Sequence, residues 1–425
     1  MITPREAQAL ILRTVKRLPP RLLPLAESLG RVLAEDVVAD ENIPPFTNSA
    51  MDGFALAATD SVGASQESPC RLRVIVDLPA GSNWSGSLQT GQAARIMTGA
   101  PLPQGADCVV RVEDTTLEGE TVSLQRSLLP GANVRQVGED QIQGAVALRA
   151  KTVIRPAEIG VLASLGRTKV RVCPPARVAI LTTGDELVDA SERPGPGQIR
   201  DANGPALIAQ IQAIGAIPLP TLRLPDRRDA VRLALAESLE QADLVISSGG
   251  VSVGDYDFVK EVLEELGANR LFWGVAQKPG KPLAFWQVQG IPVFGLPGNP
   301  VSSMLCLEEY VRPALRQMMG HCLLFRPERE ARLTESYHKG KDGRLNFLRV
   351  TLEELEGSLW ATPTGPQGSG LLTSLSRAQA LALLPAQTEY FPKGSRITVQ
   401  MTDWPEDHGS SEEVTGNDLL ERMGC

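Results

Sequence analysis

Three short stretches in the middle of the chain carry the residue types of a site for a charged small molecule. SSGGVSVGDYD, residues 247–257, opens as a loop able to wrap a phosphate and closes on two carboxylates, Asp255 and Asp257, that would repel one. TTGDEL, residues 182–187, sets Asp185 and Glu186 behind Gly184. GLPGNPVSS, residues 295–303, runs through Pro297, Gly298, Asn299 and Pro300 into Ser302 and Ser303. Gly249, Gly250 and Gly254 let backbone approach a ligand closely, and the N–H groups of such loops form anion-binding nests. Ser302 and Ser303 stand near the start of a helix, where unpaired N–H groups and the dipole favour an anion. Lys278 and Lys281, in KPGKPLAFW, bracket a Pro-Gly turn and add two point charges. Carboxylates and anion donors share a site when a hard cation lies between them, and magnesium is typically held by one or two carboxylates plus substrate phosphates. The chemistry that reconciles these loops is therefore a magnesium–phosphate ligand.

Each stretch alone has an ordinary explanation. Asp185 equally suits a helix N-cap, a glycine pair a tight turn, L-P-G-N-P a rigid turn before a helix, and two lysines a solvated surface. What favours a ligand site is their shared position. RVAIL, ADLVI and IPVFG read as buried strands, and each special loop leaves the carboxyl end of one of them. Between them lie helical patterns: NGPALIAQIQAIG, RDAVRLALAESLEQ, DFVKEVLEELG and VSSMLCLEEYVRPALRQMM. PLPTLRL is strand-like. Strands alternating with helices over residues 175–320 predict βαβ units, a doubly wound, mostly parallel sheet covered on both faces, with ligands bound beyond the strands' carboxyl ends. Residues 45–145 differ, with glycines and short β runs (RLRVIVDL, ARIMTG, DCVVRVED, TVSLQRS). Residues 330–402 return to that texture in EARLTES, NFLRVTLEE, ALALLPA and SRITVQMT. Residues 1–40 are helical, broken at Pro19 and Pro20, and the polar, acidic tail from 403 reads as disordered. A chain of 425 residues exceeds one core, so several domains are expected.

Composition removes other classes. A net charge of −8 argues against a general polyanion-binding surface, and 4% aromatics is poor material for stacking bases. The six cysteines form no C-x-x-C pair and read as reduced thiols, and the three histidines lie outside every motif, against a histidine zinc site or a Ser-His-Asp triad. No apolar run spans a bilayer, and the N-terminal MITPREAQALILRTVKRL lacks a signal peptide's apolar region, so a cytoplasmic protein without membrane or nucleic-acid partners is expected. There is neither a G-x-x-x-x-G-K-[ST] nor a post-strand G-x-G-x-x-G motif.

TTGDEL, SSGGVSVGDYD, KPGKPLAF and GLPGNPVSS, in this order and spacing, resemble the signatures of the molybdopterin molybdenumtransferase family, which includes bacterial MoeA and the E domain of gephyrin. PPFTNSAMDGFAL, RIMTGAPLPQGADCVV, NVRQVGEDQIQG, GRLNFLRV and PQGSGLLTS extend the resemblance over roughly residues 1–402. It implies an elongated homodimer of four domains per chain: a linking domain (1–44 plus 142–174), a small β-rich domain (45–141), the α/β molybdopterin-binding domain (175–325) and a C-terminal β domain (326–402), followed here by the acidic tail 403–425. It implies insertion of molybdate into adenylylated molybdopterin with release of AMP, dependent on magnesium, in a cleft between the α/β domain of one subunit and the small β domain of the other. Contact with the molybdopterin adenylyltransferase and with apo molybdoenzymes follows from that activity.

Residue by residue, the resemblance carries catalytic roles to Asp52, Thr98, Asp140, Glu186, Asp226 and Asp257, with Glu186 and Asp257 near the metal. It carries substrate binding to Ser49, Thr183, Gly184, Ser248, Gly249, Gly250, Ser252 and Gly254, and to Pro297, Gly298, Asn299 and Pro300. Molybdate holding falls to Lys278, Lys281, Arg349 and Ser369. Without the family, SAMDG reads as an Asx-type turn and Arg349 as a surface salt bridge. Two rivals share the fold or the chemistry: a scaffold protein, which would not need this full set of acids and cations, and another magnesium-dependent enzyme acting on a phosphorylated or adenylylated small molecule. The tail is not part of the family pattern.

Overall fold

A computed structural model describes residues 1–249 and 258–402. The expectations for Gly250, Ser252, Gly254, Asp255 and Asp257, and for disorder in the tail, lie outside the described residues. The chain forms two compact units: Leu22–Val172, and Met1–Arg21 with the described chain from Cys173 onward.

The second of these holds the α/β layer. Its seven-stranded sheet runs in the order Ile217–Pro218, Arg177–Thr183, Leu244–Ser248, Ile291–Leu296, Ala284–Val288, Asn269–Trp273, with Leu222–Leu224 also pairing to Arg177–Thr183. The first three strands, Leu222–Leu224 and Ile291–Leu296 pair in parallel, and the last two strands form an antiparallel edge. Neither of these two strands stands out in the sequence: Ala284–Val288 lies between Ile291–Leu296 and the edge strand Asn269–Trp273 and directly follows the lysine-bearing turn. RVAILTT and LVISS are apolar runs because both faces are covered. Alternation sorts their side chains. Val178 and Ile180 pack with the Asn203–Ile214 helix on one face, and Ala179 and Leu181 with Arg228–Gln241 and Phe258–Glu265 on the other.

The N-terminal Pro4–Thr14 helix also packs on the first face through Ala7 and Ile11. It starts on a capping box in which Thr3 N donates to Glu6 Oε2 at 2.8 Å and Glu6 N to Thr3 Oγ1 at 3.3 Å. By contacts these first residues group with the chain from Cys173 onward. The long helix over residues 300–318 contains a π turn at Leu307–Val311. Pro313 follows and has no N–H for the carbonyl four residues back. Gln8 Nε2 donates to that carbonyl, Glu309 O, at 3.2 Å.

The C-terminal strands Leu345–Leu355, Ser358–Pro363, Glu328–Leu333, Arg396–Met401 and Ala380–Leu384 close into a barrel through the pairing of the first with the last. Gln277–Lys278 adds to it in parallel, with Lys278 opposite Asn346. The lysine turn of the α/β layer is thus pinned to the barrel strand that carries Arg349.

In the Leu22–Val172 unit, six strands form a mixed sheet in the order Cys108–Arg111, Gly53–Leu56, Gln92–Ile96, Cys70–Leu78, Thr121–Leu124, Thr115–Glu118. A second small core around Leu33, Ile154, Leu162 and Val172 lies under the Pro156–Ser164 helix. No described helix is long and apolar enough to cross a membrane.

Candidate functional site

Four strands of the α/β sheet end in register. Thr182 pairs with Ser248, Ser248 with Leu296, and Thr183 with Leu224. The chain steps outward from Arg177–Thr183 through one helix to Leu222–Leu224, then crosses back on the opposite face to Leu244–Ser248. The crevice between those two directions is the switch point at which open α/β sheets bind ligands.

The loops there are tied to one another. Asn203 Nδ2 donates to Ser248 Oγ at 2.9 Å and to Gly298 O at 2.8 Å, bridging the exits of two strands. Ser248 Oγ lies 3.3 Å from Ser303 Oγ. Gly249 has φ +90°, and a Cβ there would sit 2.9 Å from Thr183 O, so glycine is required twice over. Gly298 differs, since a Cβ at that position meets only ordinary contact with Gly249.

The acidic end begins at Gly184. With φ +150°, its missing Cβ would stand 2.6 Å from Glu186 Oε2, so the Glu186 carboxylate folds back over the glycine. Asp185 Oδ1 accepts from Asp226 N at 3.1 Å. Burial, then the charges of Asp185 and Glu186, push the Asp226 carboxyl above the usual aspartate range. Asp185 caps no helix, because a short strand, Leu187–Val188, follows it. Thr182 Oγ1 donates to Asp201 Oδ2 at 3.0 Å, and Asp201 Oδ1 accepts from Gly204 N at 2.9 Å. Among the described residues no group of three or more His, Cys, Asp or Glu is placed to hold a metal ion.

The cationic end is built on the barrel. Arg349 is 1% exposed, yet no described carboxylate pairs with it. Gln367 Oε1 accepts from its Nε at 3.0 Å and its backbone N at 2.9 Å, and Gly368 O accepts from Nη1 at 3.1 Å. Burial lowers the guanidinium pKa. Arg349 is therefore not the surface salt bridge that its isolated sequence position suggests. The next residue, Ser369, accepts from Val301 N through its carbonyl at 3.0 Å. Ser369, next to the Gly368 carbonyl that holds Arg349, thus meets the start of the Pro300–Cys306 helix. That contact takes one of the N–H groups expected to face an anion, and Ser302 and Ser303 are buried. Lys278 and Lys281 are exposed on either side of Gly280, whose Cβ would strike Cys306 Sγ at 2.6 Å.

The Leu22–Val172 unit gathers a separate pair. Asp52 Oδ1 accepts from Thr98 N at 2.7 Å and Thr98 Oγ1 at 2.8 Å. These two bonds, backbone first, hold the Asp52 carboxyl below the usual range, with Arg95 adding to the effect. Ser49 lies close in sequence but is buried, its Oγ donating to Met51 O at 2.6 Å. Asp140 is exposed on another loop, its N–H held by Ile43 O at 2.9 Å. Thr98→Val removes one of the two donors, so the Asp52 pKa is expected to rise toward the ordinary value. A pH titration followed by carboxyl NMR checks this, and an unchanged Asp52 refutes it.

Sequence reasoning missed Asn203, Asp201 and Gln367. RDANG ahead of a helix was a signal for the first two, and PQGSG contained the third.

Comparison with known proteins defines the class. Residues 2–166 match the MoeA N-terminal region (domain I and II), 179–317 a probable molybdopterin binding domain, and 330–401 the MoeA C-terminal region (domain IV). A molybdopterin molybdenumtransferase of Bacillus subtilis is 37% identical over 391 residues, covering 90% of this chain and 91% of the relative. Molybdopterin molybdenumtransferase 2 of Mycobacterium tuberculosis is 36% identical over 400 residues, covering 93% and 98%. The crystal structure of the molybdopterin biosynthesis moeA protein of Pyrococcus horikoshii OT3 superposes with TM-score 0.78 at 30% identity, covering 94% of this chain and 100% of that one. The chain belongs to the molybdopterin molybdenumtransferase family and is an enzyme of molybdenum cofactor biosynthesis.

Proposed function

We propose that this enzyme inserts molybdate into adenylylated molybdopterin, releases AMP and yields molybdenum cofactor, with magnesium required. The observation that carries the reading is the polarity of one contiguous edge. Asp226, Asp185 and Glu186 stand at one end, the Thr183, Gly249 and Gly298 loops lie between, and Arg349 with Ser369 stands at the other. Such an edge suits a ligand that carries a cation-bridged diphosphate at one end and receives a tetrahedral dianion at the other.

The fit to magnesium rests on the donors. Asp185, Glu186 and Asp226 offer hard oxygens, and burial together with the charges of Asp185 and Glu186 raises the Asp226 pKa. Among the described residues no three such side chains converge on a metal position, so in this proposal substrate oxygens complete the shell. Glu186 holds the ion in this proposal, with Asp257 the second carboxylate on sequence grounds. Bound there, magnesium would neutralise the diphosphate. The residues of the chain do the rest. Glu186 orients water, the Gly249 and Gly298 loops admit the pterin phosphate, and Arg349, Ser369, Lys278 and Lys281 collect molybdate. Asp52, Thr98 and Asp140 are assigned to the same reaction from the Leu22–Val172 unit.

The test is incubation with adenylylated molybdopterin, magnesium and molybdate, reading AMP and reconstitution of an apo molybdoenzyme. Chelation is expected to stop AMP release, and release that survives chelation removes magnesium from the proposal. Gly184→Ala places a methyl group against the Glu186 carboxylate and is expected to raise the magnesium needed for half-maximal release about tenfold. An unchanged requirement would free Glu186 of the metal role. A homodimer is proposed as well, to be checked by light scattering.

A further inference from the structure

A cleft of about 1120 Å³ opens between the Asn203–Ile214 helix, the helical run over residues 300–318 and the C-terminal barrel. None of the candidate-site residues lines it. Its wall is apolar, with Ile214, Met304, Phe325 and Leu375 facing the space. Leu323 and Phe325, 80% and 43% exposed, leave apolar surface at its edge.

Charge is unbalanced there. Arg312, Arg316 and Arg326 line the cleft with a single carboxylate, Glu308. Glu308 Oε1 stands 3.3 Å from Arg312 Nε and 2.7 Å from Arg326 Nε. Arg316 Nε donates to Leu323 O at 2.7 Å. Burial, with Arg326 and Arg316 nearby, brings the Arg312 pKa down to about 10. An apolar cavity with surplus guanidinium groups suits an acidic occupant that brings apolar side chains.

The chain itself supplies that chemistry next to the opening. Thr402 lines the cleft, and the sequence continues as Asp403-Trp404-Pro405-Glu406-Asp407. Residues 403–425 contain seven acids and one arginine, with Trp404, Leu419 and Leu420 among them. We propose that the acidic segment 403–425 docks in this cleft, Trp404 against the apolar wall and the carboxylates around it on the three arginines. An intramolecular occupant needs only modest affinity, because its local concentration is set by a direct covalent connection.

The test uses the full chain and a full-length variant, Asp403→Asn/Glu406→Gln/Asp407→Asn, whose changes lie outside the described fold. Hydrogen exchange is followed over residues 304–316 and 323–327. Amides of 323–327 are expected to exchange about tenfold faster in the variant. The difference should shrink at about 0.5 M salt, where exposed charges are screened. Arg316→Glu in the full chain is expected to give the same acceleration. Equal exchange in the wild type and the tail variant overturns the proposal. So does protection that ignores the tail but grows with protein concentration, which would assign the cleft to a second copy. Acceleration by Arg316→Glu alone would assign it to another occupant and overturns it equally.

Discussion

Replacing Arg349 by methionine is expected, if the proposed reaction holds, to cut molybdate-dependent AMP release at least about a hundredfold while leaving the protein as stable as before, or more stable by about 1 kcal/mol. The two effects follow from one observation. Arg349 is 1% exposed, and the groups that hold it, Gln367 Oε1 and Gly368 O, are neutral. A buried cation without a counter-charge costs stability, and proteins retain such groups where the charge meets a ligand. Methionine fills similar volume and brings no charge to bury. Arg349→Lys is the informative control. It keeps a charge but loses the planar fork that engages Gln367 and Gly368, and it is expected to fall between wild type and Arg349→Met. Turnover at limiting molybdate and thermal unfolding measured on the same preparations decide the matter. Wild-type turnover in Arg349→Met would remove the guanidinium from molybdate capture. A large drop in melting temperature would show that its role is to support the barrel.

Glu309→Gln is expected to remove a pH slope from stability. Glu309 is 4% exposed in the long helix, near Gln8 and Gln400 and among the charges of Glu308, Arg312 and Glu328. Burial first, and Glu308 second, push its carboxyl up to about 8. The unfolded chain releases this proton near pH 4.5, and the folded chain keeps it until about pH 8. Between those values the unfolded state binds fewer protons, so rising pH favours unfolding by about 1.4 kcal/mol per unit from this group. Below the window the carboxyl is neutral in both states and the contribution is flat. Above it the cost is complete, with a ceiling of roughly 5 kcal/mol before local relaxation. Glutamine is neutral throughout. The variant should match wild type near pH 4.5 and become progressively more stable than it toward pH 8. Urea unfolding across that range checks this, and parallel curves for the two proteins refute a neutral Glu309.

Much of the layer that carries the site was legible. RVAILTT, ADLVISS and IPVFGL are apolar over whole turns of alternation, which signals burial on both faces, and the helices between them carry the longer period. The loops TTGDEL, SSGG and LPGNP therefore fall at strand exits on pattern alone. Gly249 was legible in kind, as a close approach. Its reason was not, because the atom it must avoid, Thr183 O, belongs to a neighbouring strand. Asp226 lies in a short motif, LPDRRD, that by itself does not say what it faces. The register of Thr183 with Leu224 is what brings it beside Asp185.

By itself the sequence determined the types and the order: which segments are the parallel strands of the α/β layer, which loops hold glycines and acids, and which family those loops resemble. Local pattern suffices for that, since period and turn chemistry act over a few residues. Only the tertiary structure decided the neighbours. It set Lys278 opposite Asn346 on the strand of Arg349, buried that arginine with no carboxylate partner among the described residues, folded Glu186 over Gly184, and used Asn203 to lock two loops together. Each of these joins residues distant along the chain or depends on the shape of a loop. Such contacts are fixed by strand register and by competition for buried hydrogen-bond partners, neither of which is written in any one stretch of sequence.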